Sequence, residues 1–302
     1  MKKDLTLGLT ALIFANLFWG IMTPMTKDLF KSELIDGMTL SVVRMVSCTV
    51  LFWVLGFLIP DKYTHQKRLE KRDIVPLLVG SILFIIGTQS LTNIGTQYTY
   101  AIDASVCCCV TPIFTLILGA IFYHHKFPPL LKIVGVLLGL GGVLVFIFSS
   151  TENVEMHVTN PVWGDLLCVF SQASGAIYLV FYVNIVSRYS AFTIMKWLYT
   201  FSTICVLPFT FGDVISIPWA EMSGYHLFTI AFAIFFGSFA SYMLIAFAQQ
   251  HVTPTIIGMC NYGQPLASAV FSAILGIAVF TVQSVIATLL IFVGIWLVIR
   301  KS

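Results

Sequence analysis

The sequence predicts an all-α membrane protein of ten transmembrane helices, folded as two five-helix repeats inserted in opposite senses. Three observations predict it. Hydrophobic residues make up 58% of the 302 and charged residues only 10%, against roughly 25% charged in soluble domains. So little charge cannot cover a water-soluble surface. Ten apolar runs of the length a bilayer core of about 30 Å demands lie near residues 6–27, 34–59, 74–95, 98–123, 129–149, 161–187, 193–213, 225–246, 253–277 and 280–299, joined by short loops. Features also recur at half the chain length: Pro265 follows Pro112 by 153 residues, and Gly294 follows Gly141 by the same interval. The repeats are therefore drawn at 1–150 and 151–302.

The net charge of +3 says less than its placement. With the N-terminus inside, the inner loops carry Lys2, Lys3, Lys62, Lys67, Arg68, Lys71, Arg72, Lys126, Lys132, Arg188, Lys196, Arg300 and Lys301, and the outer loops only Lys27 and Lys31. Short loops with this bias place both termini in the cytoplasm, and ten spans require both on one side. Five spans per half then makes the second repeat inverted. The first apolar run is too long for a signal peptide, contains Asn16 and lacks a small-x-small cleavage site, so it reads as the first span. A compact multi-pass protein of this kind suits a cell inner membrane. All seven cysteines fall inside predicted spans. The three in succession, Cys107 to Cys109, point about 100° apart on a helix and cannot close on one metal; they read as small apolar fillers.

Span by span, polar residues fall in stripes. Span 1 sets Asn16, Gly20, Thr23 and Lys27 on one face, with Trp19 and Pro24 beside them. Span 2 contributes Arg44, an intramembrane cation. Span 3 has Gln89, Asn93 and Gln97 at steps of four. Span 4 carries Asp103 near its outer end, then Cys108, Thr111 and Thr115, with a kink expected at Pro112. Span 5 holds Gly135, Gly139 and Gly142 among Val, Leu and Ile, which suits close helix packing. Span 6 aligns Ser171, Gly175, Tyr178 and Tyr182; span 7 shows no clear stripe. Span 8 has Ser238, Tyr242 and Gln249; span 9 has Asn261, Gln264, Ser268 and Ser272, with a second kink expected at Pro265. Span 10, like span 5, is apolar with glycine. Lipid cannot satisfy a polar stripe, so striped helices face protein or water. Stripes on spans 1, 3, 4, 6, 8 and 9 predict a central polar cavity, with spans 5 and 10 outside it.

The doubled motifs resemble the drug/metabolite transporter superfamily, in its EamA-type branch with ten spans. They are Phe18-Trp19-Gly20 with Pro24; Tyr100-Ala101 through Ala104 to Thr111-Pro112-Ile113-Phe114; the run from Gly135 to Gly141-Gly142-Val143; Gly164-Asp165-Leu166-Leu167; and Gln264-Pro265-Leu266 with Gly294. The resemblance covers essentially the whole chain. It implies an inverted five-plus-five repeat and transport by alternating access, often export of amino acids or related metabolites. The acid that commonly closes the fourth span is lacking, with His125 and Lys126 near that point.

The expected function is a secondary transporter of a small polar metabolite such as an amino acid, with a facilitator or exchanger of another solute, for example a nucleotide-type one, as the alternative. The residues expected to bind it are Asn16, Trp19, Arg44, Gln89, Asn93, Asp103, Thr111, Tyr178, Tyr182, Tyr242, Asn261 and Gln264, and the expected kinks are Pro24, Pro112 and Pro265. Amide and aromatic groups suit a neutral or zwitterionic solute. Arg44 and Asp103 are expected to pair, or one of them to meet an opposite charge on the solute. An intramembrane enzyme would need paired catalytic groups at depth; the six histidines lie in loops or at span ends, and neither HExxH nor GxSxG occurs. No cofactor, metal or nucleic acid is implied. The expected partners are a small-molecule substrate and the lipid bilayer, with the protein a monomer or homodimer.

Overall fold

The computed structural model describes residues 2–65, 67–99, 104, 107, 109–122, 130–149, 160–274 and 282–299, and every element among them is helical. The principal helices are α1 (Lys2–Lys31), α2 (Gly37–Leu58), α3 (Lys71–Tyr98), α4 (Thr111–Phe122) and α5 (Leu130–Ser149). They continue with α6 (Pro161–Phe181), α7 (Ala191–Ile215), α8 (Gly224–Gln249), α9 in two pieces (Pro254–Cys260 and Gly263–Ile274) and α10 (Val282–Ile299). By length and composition, α1 (from Leu5), α2, α3, α6, α7 and α8 are long and apolar enough to cross a membrane; Thr111–Phe122, Leu130–Gly142 and Leu289–Val298 are shorter apolar helices. The predicted spans agree with the helices to within a few residues, apart from two. In 98–123 the helix begins only at Thr111, and part of that run lies outside the described residues. In 161–187 α6 stops at Phe181 and a short helix, Val183–Val186, follows. Large apolar side chains such as Phe57 and Phe209 point outward, 81% and 87% exposed, as a lipid-facing surface requires.

Helix starts are set by capping side chains, which satisfy backbone N–H groups that a helix cannot. Asp36 Oδ1 accepts from the Met38 and Thr39 amides at 2.8 and 2.9 Å. Asn160, Ser190 and Ser223 do the same for α6, α7 and α8.

Pro24 sits within a continuous α1, but the other two expected kinks take a different form. The chain makes a turn at Cys109-Val110 and another at Asn261-Tyr262, and a new helix begins after each. Pro112 and Pro265 thus occupy first turns, where the missing amide costs nothing because it would have no helical partner. What reads in sequence as a proline kink within a span is a break just before the proline.

Helices α3 and α8 each contain a wide, π-wound stretch at mid-length, Ile82–Ser90 and Ala233–Ala240. Long π-winding is rare and concentrates at functional sites. A side chain from elsewhere in the fold meets a carbonyl of each stretch: Ser174 Oγ donates to Leu83 O at 2.7 Å, and Trp19 Nε1 to Gly237 O at 2.8 Å.

The helices pack with a repeating plan. α2 lies on α7, α4 on α9 and α5 on α10, while α1 packs on α8 and α9 as α6 packs on α3 and α4. The backbones of α5 and α10 approach closely. A Cβ added at Gly135 would stand 2.8 Å from Gly294 O, and one at Gly294 would stand 2.6 Å from Gly135 O. Glycine is required at both, because any side chain would enter the opposing backbone.

Candidate functional site

A cavity of about 820 Å³, mouth included, lies between the helices. Its walls come from α1 (Trp19, Met22, Thr23, Thr26), α2 (Arg44), α3 (Phe84, Thr88, Gln89, Thr92, Asn93, Thr96) and the start of α4 (Thr111). Helices α6 (Gln172, Gly175, Leu179), α8 (Tyr242, Ile245) and α9 with its turn (Ile257, Asn261, Gln264) complete them. Among the described residues, none that lines it is a carboxylate.

Most polar wall groups bond across the midpoint of the chain. Thr111 Oγ1 donates to Gln172 Oε1 at 2.6 Å and accepts from Asn261 Nδ2 at 3.3 Å. Gln264 Nε2 donates to Thr23 Oγ1 at 3.4 Å, and Thr92 Oγ1 to Ser171 Oγ at 2.8 Å. The Thr88 hydroxyl and the Tyr242 phenol lie 2.7 Å apart. Gln89 Nε2 donates to the fully buried Tyr199 OH at 2.7 Å.

Arg44 is 2% exposed. Its Nε donates to Ser238 Oγ at 2.7 Å, one terminal nitrogen to Asn93 Oδ1 at 3.4 Å and the other to Gly237 O at 3.2 Å. Gly237 O therefore receives both Arg44 and Trp19, so the π-wound stretch of α8 is where α1, α2 and α8 meet. Among the described residues every partner of Arg44 is neutral. Asp103, its expected partner, lies outside the described residues.

Eight of the predicted site residues line the cavity together: Trp19, Arg44, Gln89, Asn93, Thr111, Tyr242, Asn261 and Gln264. Three do not. Asn16 is buried on α1, donating to Leu12 O at 2.8 Å. Tyr178 stacks on Phe84 with ring centres 4.1 Å apart and on Tyr182 at 4.9 Å, and the Tyr182 phenol donates to Pro76 O at 2.8 Å. This aromatic stack forms a floor beneath the Phe84 end of the cavity. The physical reason is the pitch of α6: Gln172, Gly175 and Leu179 turn to the cavity, and the tyrosines turn to α3.

Threonines 88, 92 and 96 escaped the sequence reading although they repeat every four residues one step before Gln89 and Asn93. A polar band twice as wide as the amide stripe was the available signal. Lys27, on the α1 stripe, is 6% exposed and donates to the carbonyls of Thr96, Gln97 and Thr99 at 2.8, 3.3 and 2.7 Å. It ties α1 to the end of α3 just beyond the cavity.

The comparisons accord with this architecture. An uncharacterized transporter of Archaeoglobus fulgidus is 25% identical over the full length of both chains. A WAT1-related protein of Arabidopsis thaliana is 21% identical, over 99% of this chain and 85% of its own. A solved crystal structure, 14% identical, superposes with a TM-score of 0.72 over 97% of this chain and 96% of the other, which speaks to fold alone. The model of the EamA-like transporter family matches twice, at residues 6–148 and 162–300. The chain is a membrane transporter that belongs to the EamA-like family, within the drug/metabolite transporter superfamily.

Proposed function

We propose that the protein is a secondary carrier that exports a small polar metabolite of the amino-acid type, by alternating access between two inverted five-helix halves in a cell inner membrane, with both termini cytoplasmic. The observation that carries the reading is the position of the cavity. Its walls draw on both halves of the chain, and its polar groups bond half to half, so relative movement of the halves must remake the site. Substrate sites at a repeat interface near the bilayer midplane are the general plan of such carriers. The inverted arrangement is supported by the packing plan, in which α2–α7, α4–α9 and α5–α10 each join equivalent helices of the two halves, and by the double family match. Membership in a family of transporters points away from catalysis.

Purified protein in liposomes loaded with radiolabelled amino acids and other small metabolites tests the reading. Saturable efflux of at least one solute, absent from protein-free vesicles, is the expected result. No saturable movement across a broad panel would overturn it. Equal rates with and without imposed ion gradients would identify a facilitator or exchanger instead.

A further inference from the structure

We infer that Arg44 is the specificity-determining residue of the cavity, receiving a carboxylate of the transported solute. The inference rests on the carrier reading and adds to it the charge of the cargo. A guanidinium keeps its charge under all physiological conditions, and an intramembrane charge is costly unless something opposes it. Arg44 is almost fully buried, lines the cavity, and meets only neutral acceptors among the described residues. Those acceptors hold its plane without cancelling its charge.

Arginine has five N–H donors in a fixed fork. Ser238 takes the one on Nε, and Asn93 and Gly237 take one from each terminal nitrogen. One N–H remains on each terminal nitrogen. A carboxylate is the small group that offers a guanidinium two acceptor oxygens at once. Among the described residues, no lining residue supplies one. The other wall groups around Arg44 are amide, hydroxyl and indole, which orient a ligand without competing for the charge.

The fork is also held between the halves of the chain, since Asn93 lies on α3 and Gly237 and Ser238 on α8. A carboxylate bound there touches a residue whose placement depends on both. An uncharged solute of the same shape leaves the cation unopposed, so the cavity discriminates by charge before it discriminates by side chain.

The test uses wild-type protein first, so that it does not depend on a variant folding. Thermal stabilisation and vesicle flux are measured for alanine, phenylalanine and succinate, each beside its primary amide, with inorganic phosphate, glycerol and uridine alongside. The carboxylates are expected to bind about tenfold or more tightly than their amides. Arg44→Gln is expected to erase that preference, and Arg44→Lys to keep a reduced one, since it preserves the charge but not the fork. Equal response to acid and amide, or response only to phosphate or uncharged solutes, overturns the inference and leaves the carrier reading standing. Flux of the carboxylates that Arg44→Gln leaves unchanged, in protein of wild-type stability, also overturns the inference alone. Silence from every member of the panel overturns the inference and the carrier reading together.

Discussion

The two ends of the bundle are held by different mixtures of contacts. At the end where α1 begins, Asp73 on α3 is 3% exposed and accepts from Arg188 at 2.8 Å and from the Tyr189 phenol at 2.6 Å. Tyr189 also accepts from the Glu70 amide, and Gln250 donates to the Val186 and Tyr189 carbonyls. Burial, and then its bond to Asp73, pushes the Tyr189 phenol above its ordinary range, so it stays protonated and remains a donor. At the opposite end an apolar cluster forms from Leu29, Phe30, Ile35, Leu40, Val43, Ile217, Met222 and Ile230. His226, 153 residues after Asp73, has no partner for its buried Nδ1 among the described residues. One end is closed by a few directional bonds, and the other adds an apolar cluster to the Lys27 and Thr99–Asp165 hydrogen bonds. A directional contact is lost sharply as parts move, whereas apolar packing yields gradually, so the two ends should differ in how they open.

The largest expected effect is at the apolar end. Leu29→Ala, at a fully buried position, should cost about 2–4 kcal/mol, read from unfolding of the purified protein, and the loss should not depend on salt. Next is Asp73→Asn, which leaves Arg188 and Tyr189 without their carboxylate and should cost about 1.5–3 kcal/mol. It should also raise labelling of a cysteine placed at Leu179 by a thiol reagent applied from the α1-start side. If labelling and stability both stay at wild-type values, the polar contacts do not hold that end shut. Tyr189→Phe removes one bond to Asp73 and should cost about 1 kcal/mol, with a smaller rise in the same labelling. Lys67→Ala, an exposed residue that donates to Arg188 O, should change either measurement by about 0.5 kcal/mol or less. A reversed ranking between Asp73→Asn and Lys67→Ala would mean the burial of Asp73 is not what gives the contact its strength.

Helix positions were legible because lipid enforces long apolar runs, and the striped faces led to Trp19, Gln89, Asn93, Tyr242, Asn261 and Gln264. Two kinds of feature were not legible. Stripes assume ordinary 3.6-residue winding, and the π-wound stretches of α3 and α8 break that period, which blurred the threonine band around Thr88. On α6 the winding is ordinary, but the stripe drawn through Ser171 and Tyr178 lies one residue off the Gln172–Leu179 face that lines the cavity, so Tyr178 stacks on Phe84 instead. The Asp73–Arg188–Tyr189 contacts were invisible for another reason. They join residues more than a hundred positions apart, in and beside loops that show no periodicity. Their basic members read as topology determinants, which need no specific partner.

The wide winding around Gly237 also bears on how far a small rearrangement could reach. Winding with one residue fewer per turn would rotate everything downstream by about 100°. Tyr242 and Ile245 would swing off the wall as a unit, and the carbonyl that gathers Trp19 and Arg44 would turn inward to its own helix. A one-residue slip inside α8 could thus dismantle the chamber without any helix leaving its place in the bundle.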